Sequence, residues 1–124
     1  MQEWLRAEIR RIWNTTRWSW AGWKAAWTTE KSLRQWTLVN ALSALAAFAL
    51  PLTPGERALI LALGLLILAA ELANTAIETI IDHILPDPHP TAGRAKDIGS
   101  AIVAVTALAG GVAWAVLLWG LWRG

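Results

Sequence analysis

The sequence has 124 residues, of which 56% are hydrophobic and only 16% are charged. Because soluble domains carry about a quarter charged residues, this composition argues for a membrane protein. The absence of cysteine excludes disulfides, thiol nucleophiles and cysteine-ligated zinc, and a formal net charge of +2 is too small to indicate a nucleic-acid partner.

Residues 1–30 predict an amphipathic helix that lies on the membrane surface. Cations and tryptophans each recur every seven residues, at Arg10, Arg17, Lys24 and Lys31 and at Trp13, Trp20 and Trp27. On a helix the two sets form adjacent stripes. Tryptophan favours the lipid headgroup region and cations favour anionic lipid, so the pattern is that of an interfacial helix, with a break expected near Thr28 and Thr29.

Three apolar stretches follow, and each can reach the ~20 residues that a membrane-spanning helix needs. They cover about 33–51, 57–81 and 98–121. A turn rich in proline and glycine separates the first two, and a second connection at 82–97 precedes the third. The sequence therefore predicts a single all-α membrane domain, residues 1–124, with three transmembrane helices after the surface helix.

The distribution of basic residues predicts the orientation in the membrane. Nine lysines and arginines lie before the first span or in the 82–97 connection, whereas only Arg57 and Arg123 lie on the other side. By the positive-inside rule the N-terminus and the 82–97 connection are then cytoplasmic. The turn at 51–56 and the C-terminus face outward.

The second predicted span carries polar residues on one face. Glu71, Asn74, Glu78 and Asp82 are spaced by 3, 4 and 4 residues, which places them within an arc of about 80° on a helix. By helical rise from Arg57, Glu71 lies about 21 Å into a core about 30 Å thick. Intramembrane acids are rare and indicate function by default, here a buried base with a metal-binding carboxylate closer to water. A polar seam that holds helices together is the alternative.

Two further segments hold candidate site residues. Gly93–Ser100 opens the third span, where a helix N-terminus offers free amides to phosphate, with Lys96 as a cation and Asp97 as a metal ligand. A basic anchor with Asp97 near the positive end of the helix is the alternative. Glu30 is a candidate second metal carboxylate, although a surface acid near a helix start is ordinary. No glycine-rich P-loop is present, so nucleotide binding has to be unconventional.

These motifs resemble the prokaryotic diacylglycerol kinase family over roughly residues 11–120. The most specific are Ala70–Glu78 followed by Asp82, and Gly93–Ser100, and a weaker one is Trp20–Trp27 with Glu30, Arg34 and Gln35. The resemblance implies a homotrimer of three-span subunits in a bacterial inner membrane, with active sites shared between neighbours. It also implies phosphorylation of diacylglycerol by ATP with Mg²⁺ at the cytoplasmic surface.

The resemblance further implies roles for individual residues. Glu71 is similar to the family's catalytic base, which takes the proton of the lipid hydroxyl, with Ser100 beside the lipid substrate. Glu30 and Glu78 are similar to ligands of the ATP-bound metal ions. Residues that order the nucleotide and its phosphates are matched by Asn74, Lys96 and Asp97, and positions near the nucleotide are matched by Arg11, Ser19 and His89.

The chain departs from the family pattern at Trp36, Trp18 and Ala21, where relatives often carry an acid, a tyrosine and a lysine. These departures concern nucleotide contacts and leave the core carboxylates in place. A related branch of the family phosphorylates undecaprenol, which stays the alternative substrate. A non-enzymatic membrane assembly of helices, such as a small channel, is the alternative from another class.

Overall fold

Four α-helices and no strands make up the computed structural model, which describes every residue from Met1 to Gly124. In chain order the helices are α1 (Gln2–Thr29), α2 (Lys31–Ala49), α3 (Pro54–Ile84) and α4 (Pro90–Arg123). The predicted all-α architecture is confirmed, although the helix ends differ from the predicted ranges.

A single residue, Glu30, separates α1 from α2. Its backbone is extended, with φ −101° and ψ 109°, and its amide still donates to the carbonyl of Ala26 at 2.7 Å. The guanidinium of Arg34, in the first turn of α2, donates to the carbonyl of Trp27 in the last turn of α1. This bond satisfies one of the carbonyls that a helix C-terminus leaves without a partner, so the junction is short and held from both sides.

The turn between α2 and α3 is fixed by a capping box. The amide of Thr53 donates to Glu56 Oε2 at 2.7 Å, and the amide of Glu56 donates to Thr53 Oγ1 at 3.3 Å, so two free helix-end amides are satisfied reciprocally. Arg57 donates to the carbonyl of Ala47 at 2.8 Å and to that of Leu52 at 3.2 Å. One side chain thus ties the end of α2 to the start of α3.

The connection between α3 and α4 is shorter than predicted. Only residues 85–89 are outside the helices, because α3 continues to Ile84 and α4 begins at Pro90. A proline suits the first helical position since the amide it lacks would have no partner there, and His89 Nδ1 accepts from the amide of Thr91 at 3.2 Å to cap the helix.

The early start of α4 corrects one prediction. The motif Gly93–Ser100 was expected to open a helix and offer free amides to phosphate, but the helix has already begun at Pro90. The four amides without a helical partner are those of the first turn. Lys96 and Asp97 lie in the second turn, so side chains rather than backbone amides are available there.

Most of the surface is apolar. Only 11 of the 124 residues are buried within the chain, and many large hydrophobic side chains point outward along α2, α3 and α4. A contiguous apolar surface of this extent suits lipid rather than water. Two helices, α3 and α4, are long and apolar enough to cross a membrane.

Helix α3 is the centre of the packing, with α4 and α2 along it and α1 in contact with α2 and α3. One small apolar cluster joins Ala47, Leu52 and Ile60 to α4 through Trp114, and another joins Ile67, Ala70 and Val103. The second cluster lies directly beside Glu71 in sequence and fixes how the polar face of α3 meets its neighbours.

Helix α2 bonds to the other two long helices through one polar face. The interhelical bonds are Ser32 Oγ to Glu71 Oε2 at 3.0 Å, Asn40 Nδ2 to the carbonyl of Gly64 at 2.9 Å, and Trp114 Nε1 to Ser43 Oγ at 2.8 Å. These positions fall within about 80° of one another around the helix. They fix the register of α2 at three levels along its length.

Candidate active site

The polar face of α3 is turned toward α2 and α4. Glu71 is only 5% exposed and meets α2, whereas Asn74 packs against Gly99 of α4 and Asp82 forms an ion pair with Lys96 of α4. The residues that the spacing places on one helix face therefore line the junction of three helices.

Glu71 is the one buried charged residue of the chain. Its carboxylate accepts a hydrogen bond from the hydroxyl of Ser32 at 3.0 Å. Burying a carboxylate is costly unless it is hydrogen-bonded or paired, and this hydroxyl is the donor that the chain supplies. A carboxylate with one oxygen held and further acceptor sites free has the form that a general base needs.

Asn74 links two of the predicted site residues. Its Nδ2 donates to Glu78 Oε1 at 3.0 Å, while its Oδ1 lies against Gly99. That Oδ1 is the buried side-chain polar atom without a hydrogen-bond partner. A buried acceptor left without a partner is unfavourable. The amide group is nevertheless held in this place by its bond to Glu78 and by its packing against Gly99.

Lys96 brings positive charge to the same end of α3. Its ammonium group pairs with the carboxylate of Asp82, and Glu78 contributes a weaker electrostatic attraction. An ammonium group forms charge-assisted hydrogen bonds with phosphate oxygens as well as with carboxylates, which keeps Lys96 a candidate phosphate contact. Asp82 and Lys96 thus join α3 to α4 where the two helices leave the apolar region.

Comparisons with known proteins give one consistent result. The sequence model of the prokaryotic diacylglycerol kinase family matches residues 17–118. The chain belongs to this family. It is 43% identical over 114 residues to the diacylglycerol kinase of Pseudomonas aeruginosa, covering 90% of this chain and 91% of that one. It is 35% identical over 109 residues to that of Escherichia coli, covering 88% and 89%.

Membership in the prokaryotic diacylglycerol kinase family makes the chain an enzyme of a lipid kinase family, and the resemblance seen in the sequence is confirmed. The relative from Haemophilus influenzae is 35% identical over 105 residues, 85% of this chain and 89% of that protein. Together with the two apolar helices, the family places the chain in a membrane. A kinase family disfavours the non-enzymatic assembly.

Two of the residues matched to this kinase family, both on α1, are not bonded to the α3 cluster in the single chain. Arg11 is bonded to Glu8 on its own helix and its side chain is 74% exposed, and it precedes the matched residues 17–118. Ser19 Oγ donates to the carbonyl of Thr15. Neither side chain is bonded to the α3 cluster within one chain, although Ser19 lines the groove between α1 and α3.

The remaining predicted positions lie close to the cluster in sequence but are not bonded to it. Asp97 and Ser100 are exposed on α4, and His89 caps that helix. Glu30 is half-buried at the junction of α1 and α2. It lies two residues before Ser32, so the junction that carries Glu30 is next to the carboxylate of Glu71.

Carboxylate oxygens are the donors that the site offers to the Mg²⁺ that the resemblance implies. One oxygen of Glu78 is used by Asn74, which leaves the other available as a hard ligand. No three acidic or histidine side chains form a metal-binding group within one chain. Mg²⁺ commonly takes one or two carboxylates and completes its shell with water and substrate phosphates, so the second oxygen of Glu78 has the chemistry of such a ligand.

The departure at Trp36 has a structural account. The indole packs against the cluster of Ile67, Ala70 and Val103 and is half-buried between the helices. It serves as an apolar wall one turn beyond Ser32 on α2. Trp18 and Ala21 are exposed on α1 and have no contact that explains their identity.

Sequence reasoning missed the partners of the site carboxylates. Ser32 lies 39 residues from Glu71 along the chain, so no local spacing links them. Asp82 was recognised as a member of the polar face but not as the partner of Lys96. The opposite charges at the facing ends of two consecutive helices were the available signal for that pair.

Proposed function

We propose that this enzyme transfers the γ-phosphoryl group of ATP to the primary hydroxyl of diacylglycerol, giving phosphatidic acid and ADP. The buried Glu71 carboxylate, held by Ser32 on the same α3 face that carries Glu78 and Asp82, is the observation that carries the proposal. Phosphoryl transfer needs alignment, neutralisation of charge and a base rather than a covalent intermediate. The relatives that bear the name diacylglycerol kinase support this substrate.

Glu71 is the proposed general base. The lipid hydroxyl donates its proton to the carboxylate as its oxygen attacks the γ-phosphorus, and the bond from that phosphorus to the bridging oxygen of ADP breaks. Burial among apolar groups excludes water from the base, which prevents hydrolysis of ATP in place of transfer. Ser100, on α4, is proposed to contact the same lipid headgroup.

The nucleotide is proposed to bind at the cytoplasmic end of this cluster. Lys96 offsets the charge of its phosphates, and Asn74 and Asp97 order the groups around them. Arg11, Ser19 and His89 are the proposed contacts farther out. Glu30 and Glu78 would hold Mg²⁺, which when bound neutralises charge on the β- and γ-phosphates.

The proposed membrane arrangement has three spans, with α2 as the first. Its outward face carries Leu38, Leu42 and Leu45, all exposed, whereas its polar residues bond to α3 and α4. A helix that satisfies its polar groups internally can lie in lipid even when its overall composition is less apolar. The N-terminus, α1 and the connection at 85–89 are then cytoplasmic by the positive-inside rule.

The lipid is proposed to approach sideways. An open groove of about 690 Å³ separates α1 from α3 and is lined by Ser19 and Trp23 on one side and by Leu72, Thr75 and Thr79 on the other. Mixed apolar and hydroxyl lining suits a lipid at the membrane interface, whose chains are apolar and whose headgroup forms hydrogen bonds. ATP reaches the site from the cytoplasm.

A homotrimer is proposed as the working form. Support comes from the small buried core, the exposed apolar faces, and the side chain of Arg11, which bonds to Glu8 and not to the α3 cluster within one chain. Closed cyclic symmetry is the usual arrangement of homo-oligomers, and it would allow α1 of one subunit to complete the site of the next.

The test is a radiolabelled-ATP assay of the purified protein in mixed micelles, with diacylglycerol and undecaprenol in parallel. We expect label to enter phosphatidic acid in the presence of Mg²⁺ and to enter polyprenyl phosphate far more slowly. Faster labelling of undecaprenol would replace the substrate, and failure to label either lipid would contradict the proposed activity.

Glu71→Gln tests the base in the same assay. We expect the turnover to fall by at least about a hundredfold because general-base catalysis contributes about 10²–10⁴-fold. Glu56→Gln is the matched control, since Glu56 is also on α3 but takes part only in the capping box. A Glu71→Gln protein with wild-type turnover would remove the base assignment.

A further inference from the structure

The hydroxyl of Ser32 is the only one in a helix that donates to a side chain on another helix. Eight serine and threonine side chains, at positions 15, 16, 19, 28, 29, 37, 79 and 106, donate to a carbonyl three or four residues earlier on their own helix. Such back-bonding is the usual choice of a hydroxyl within a helix. Ser32 instead donates to a side chain on another helix, the carboxylate of Glu71.

The break at Glu30 explains this difference. The carbonyl four residues before Ser32 belongs to Thr28, on the other side of the extended residue that separates α1 from α2. The hydroxyl of Ser32 therefore has no continuous helix behind it to bond. Leu33, the next residue, has no exposed surface at all, so the first turn of α2 is anchored and the hydroxyl is held toward α3.

We infer that Ser32 is a positioning residue for the phosphoryl-transfer reaction. Its bond to Oε2 fixes the rotation of the Glu71 carboxylate and leaves Oε1 to receive the proton of the lipid alcohol. Ser32 does not touch the reacting atoms in this role. The inference rests on the proposed function, because it assigns Ser32 to the base of that reaction.

A carboxylate in this position needs such a holder. The side chain of glutamate has three rotatable bonds, and its terminal torsion is broad rather than confined to staggered wells. No other side chain or backbone group of the chain donates to Glu71. A misplacement of about 1 Å between reacting groups can lower the rate about a hundredfold, so loss of one hydroxyl is expected to appear in turnover.

The experiment compares Ser32→Ala with Ser32→Thr and with Ser43→Ala as the matched control. Ser43 also makes a hydrogen bond between helices, with Trp114, on the same face of α2 but away from Glu71. We expect Ser32→Ala to lower kcat about tenfold with the KM for ATP and for the lipid unchanged. Ser32→Thr should recover most of the rate, and Ser43→Ala should retain it.

A merely structural role predicts another pattern. If Ser32 only stabilised the helix pair, Ser32→Ala and Ser43→Ala would lower kcat together and in step with the midpoint of thermal unfolding in micelles. That result, or a wild-type kcat in Ser32→Ala, overturns the inference. Should Ser32→Ala not fold, Ser32→Cys keeps the size of the side chain with a much weaker donor and is expected to show the same fall.

Glu71→Gln separates this inference from the proposed function. In a Glu71→Gln background the added Ser32→Ala change is expected to lower the residual rate no further, because the group it positions is already absent. An active Glu71→Gln protein overturns the base assignment and the inference with it. An inactive Glu71→Gln protein beside a fully active Ser32→Ala protein overturns the inference alone.

Discussion

Asn74 is held from two sides, by a hydrogen bond and by a contact that only a glycine permits. Its amide donates to Glu78, and its oxygen lies so close to Gly99 of α4 that a methyl group there would overlap it. Gly99 thus does more than allow two helices to approach. It sets the position of the amide that orients a proposed metal ligand.

Gly99→Ala is therefore expected to impair catalysis. The added methyl group displaces Asn74 and weakens its bond to Glu78, and a hydrogen bond to a charged group is worth about 1.5–3 kcal/mol. We expect kcat/KM for ATP to fall at least about tenfold, since 1.4 kcal/mol corresponds to a factor of ten. The measurement is the steady-state rate with varied ATP.

Gly111→Ala is the matched control on the same helix. A methyl group at Gly111 meets no atom within 4 Å, and alanine is the better helix former, so the variant should keep its activity. Equal rates for Gly99→Ala and the wild type would show that the contact with Asn74 has no part in catalysis.

At the level of helices, the polar residues of α2 are compatible with the membrane span that is proposed for it. Asn40 and Ser43 weaken its apolar character, yet both are bonded to a neighbouring helix. The bond from Asn40 to the carbonyl of Gly64 needs a glycine at that position, because the Cβ of any other residue would come within 2.8 Å of Asn40 Oδ1. The polar groups face inward and the leucines face out.

The proposed topology can be tested by cysteine labelling, for which the cysteine-free chain is a clean background. Gly55→Cys in the first turn of α3, where a side chain meets no atom within 4 Å, is expected to react with an impermeant maleimide from outside intact spheroplasts. Gln2→Cys and Asp87→Cys are expected to react only after permeabilisation, because the proposed topology has two crossings, α2 and α3, between α1 and the 85–89 connection.

The parent protein is the control for background labelling. If α2 did not cross, Gly55→Cys and Gln2→Cys would react from the same side. Retained kinase activity in each variant shows that the reporter has not altered the fold.

Periodicity predicted the helices well and their contacts poorly. The polar face of α3 follows from spacing because 3- and 4-residue intervals place side chains together on any helix. The start of α4 at Pro90 was missed, since hydrophobicity marks where lipid begins and the helix extends beyond it. The partners Ser32 and Lys96 were missed. Packing between helices brings Ser32 to Glu71 and Lys96 to Asp82, and no local pattern in the sequence encodes that packing.

For the whole molecule, the single chain separates the proposed site into two groups. Along α3, Ser32 of α2 bonds to Glu71, and Lys96 of α4 lies near Glu78 and Asp82 farther toward the end of the helix. Glu30 lies two residues from Ser32. Arg11, a nucleotide contact expected on α1, bonds to Glu8 of its own helix and not to this cluster. The proposed trimer accounts for this division if α1 of one subunit serves the site built by the three long helices of its neighbour.

Subunit mixing tests this division. Glu71→Gln and Arg11→Glu proteins, each expected to be inactive, are mixed in equal amounts and exchanged in detergent. Random assembly in a cyclic trimer should place an intact Arg11 beside an intact Glu71 in about a quarter of the sites, so about that share of the wild-type rate should return.

Glu30→Gln mixed with Glu71→Gln is the control and should recover nothing, because Glu30 and Glu71 belong to the same subunit's site in this arrangement. Recovery in the second mixture, or in neither, would contradict the division. The protein mass of the exchanged particles, without detergent, should be three times the 13.6 kDa of one chain.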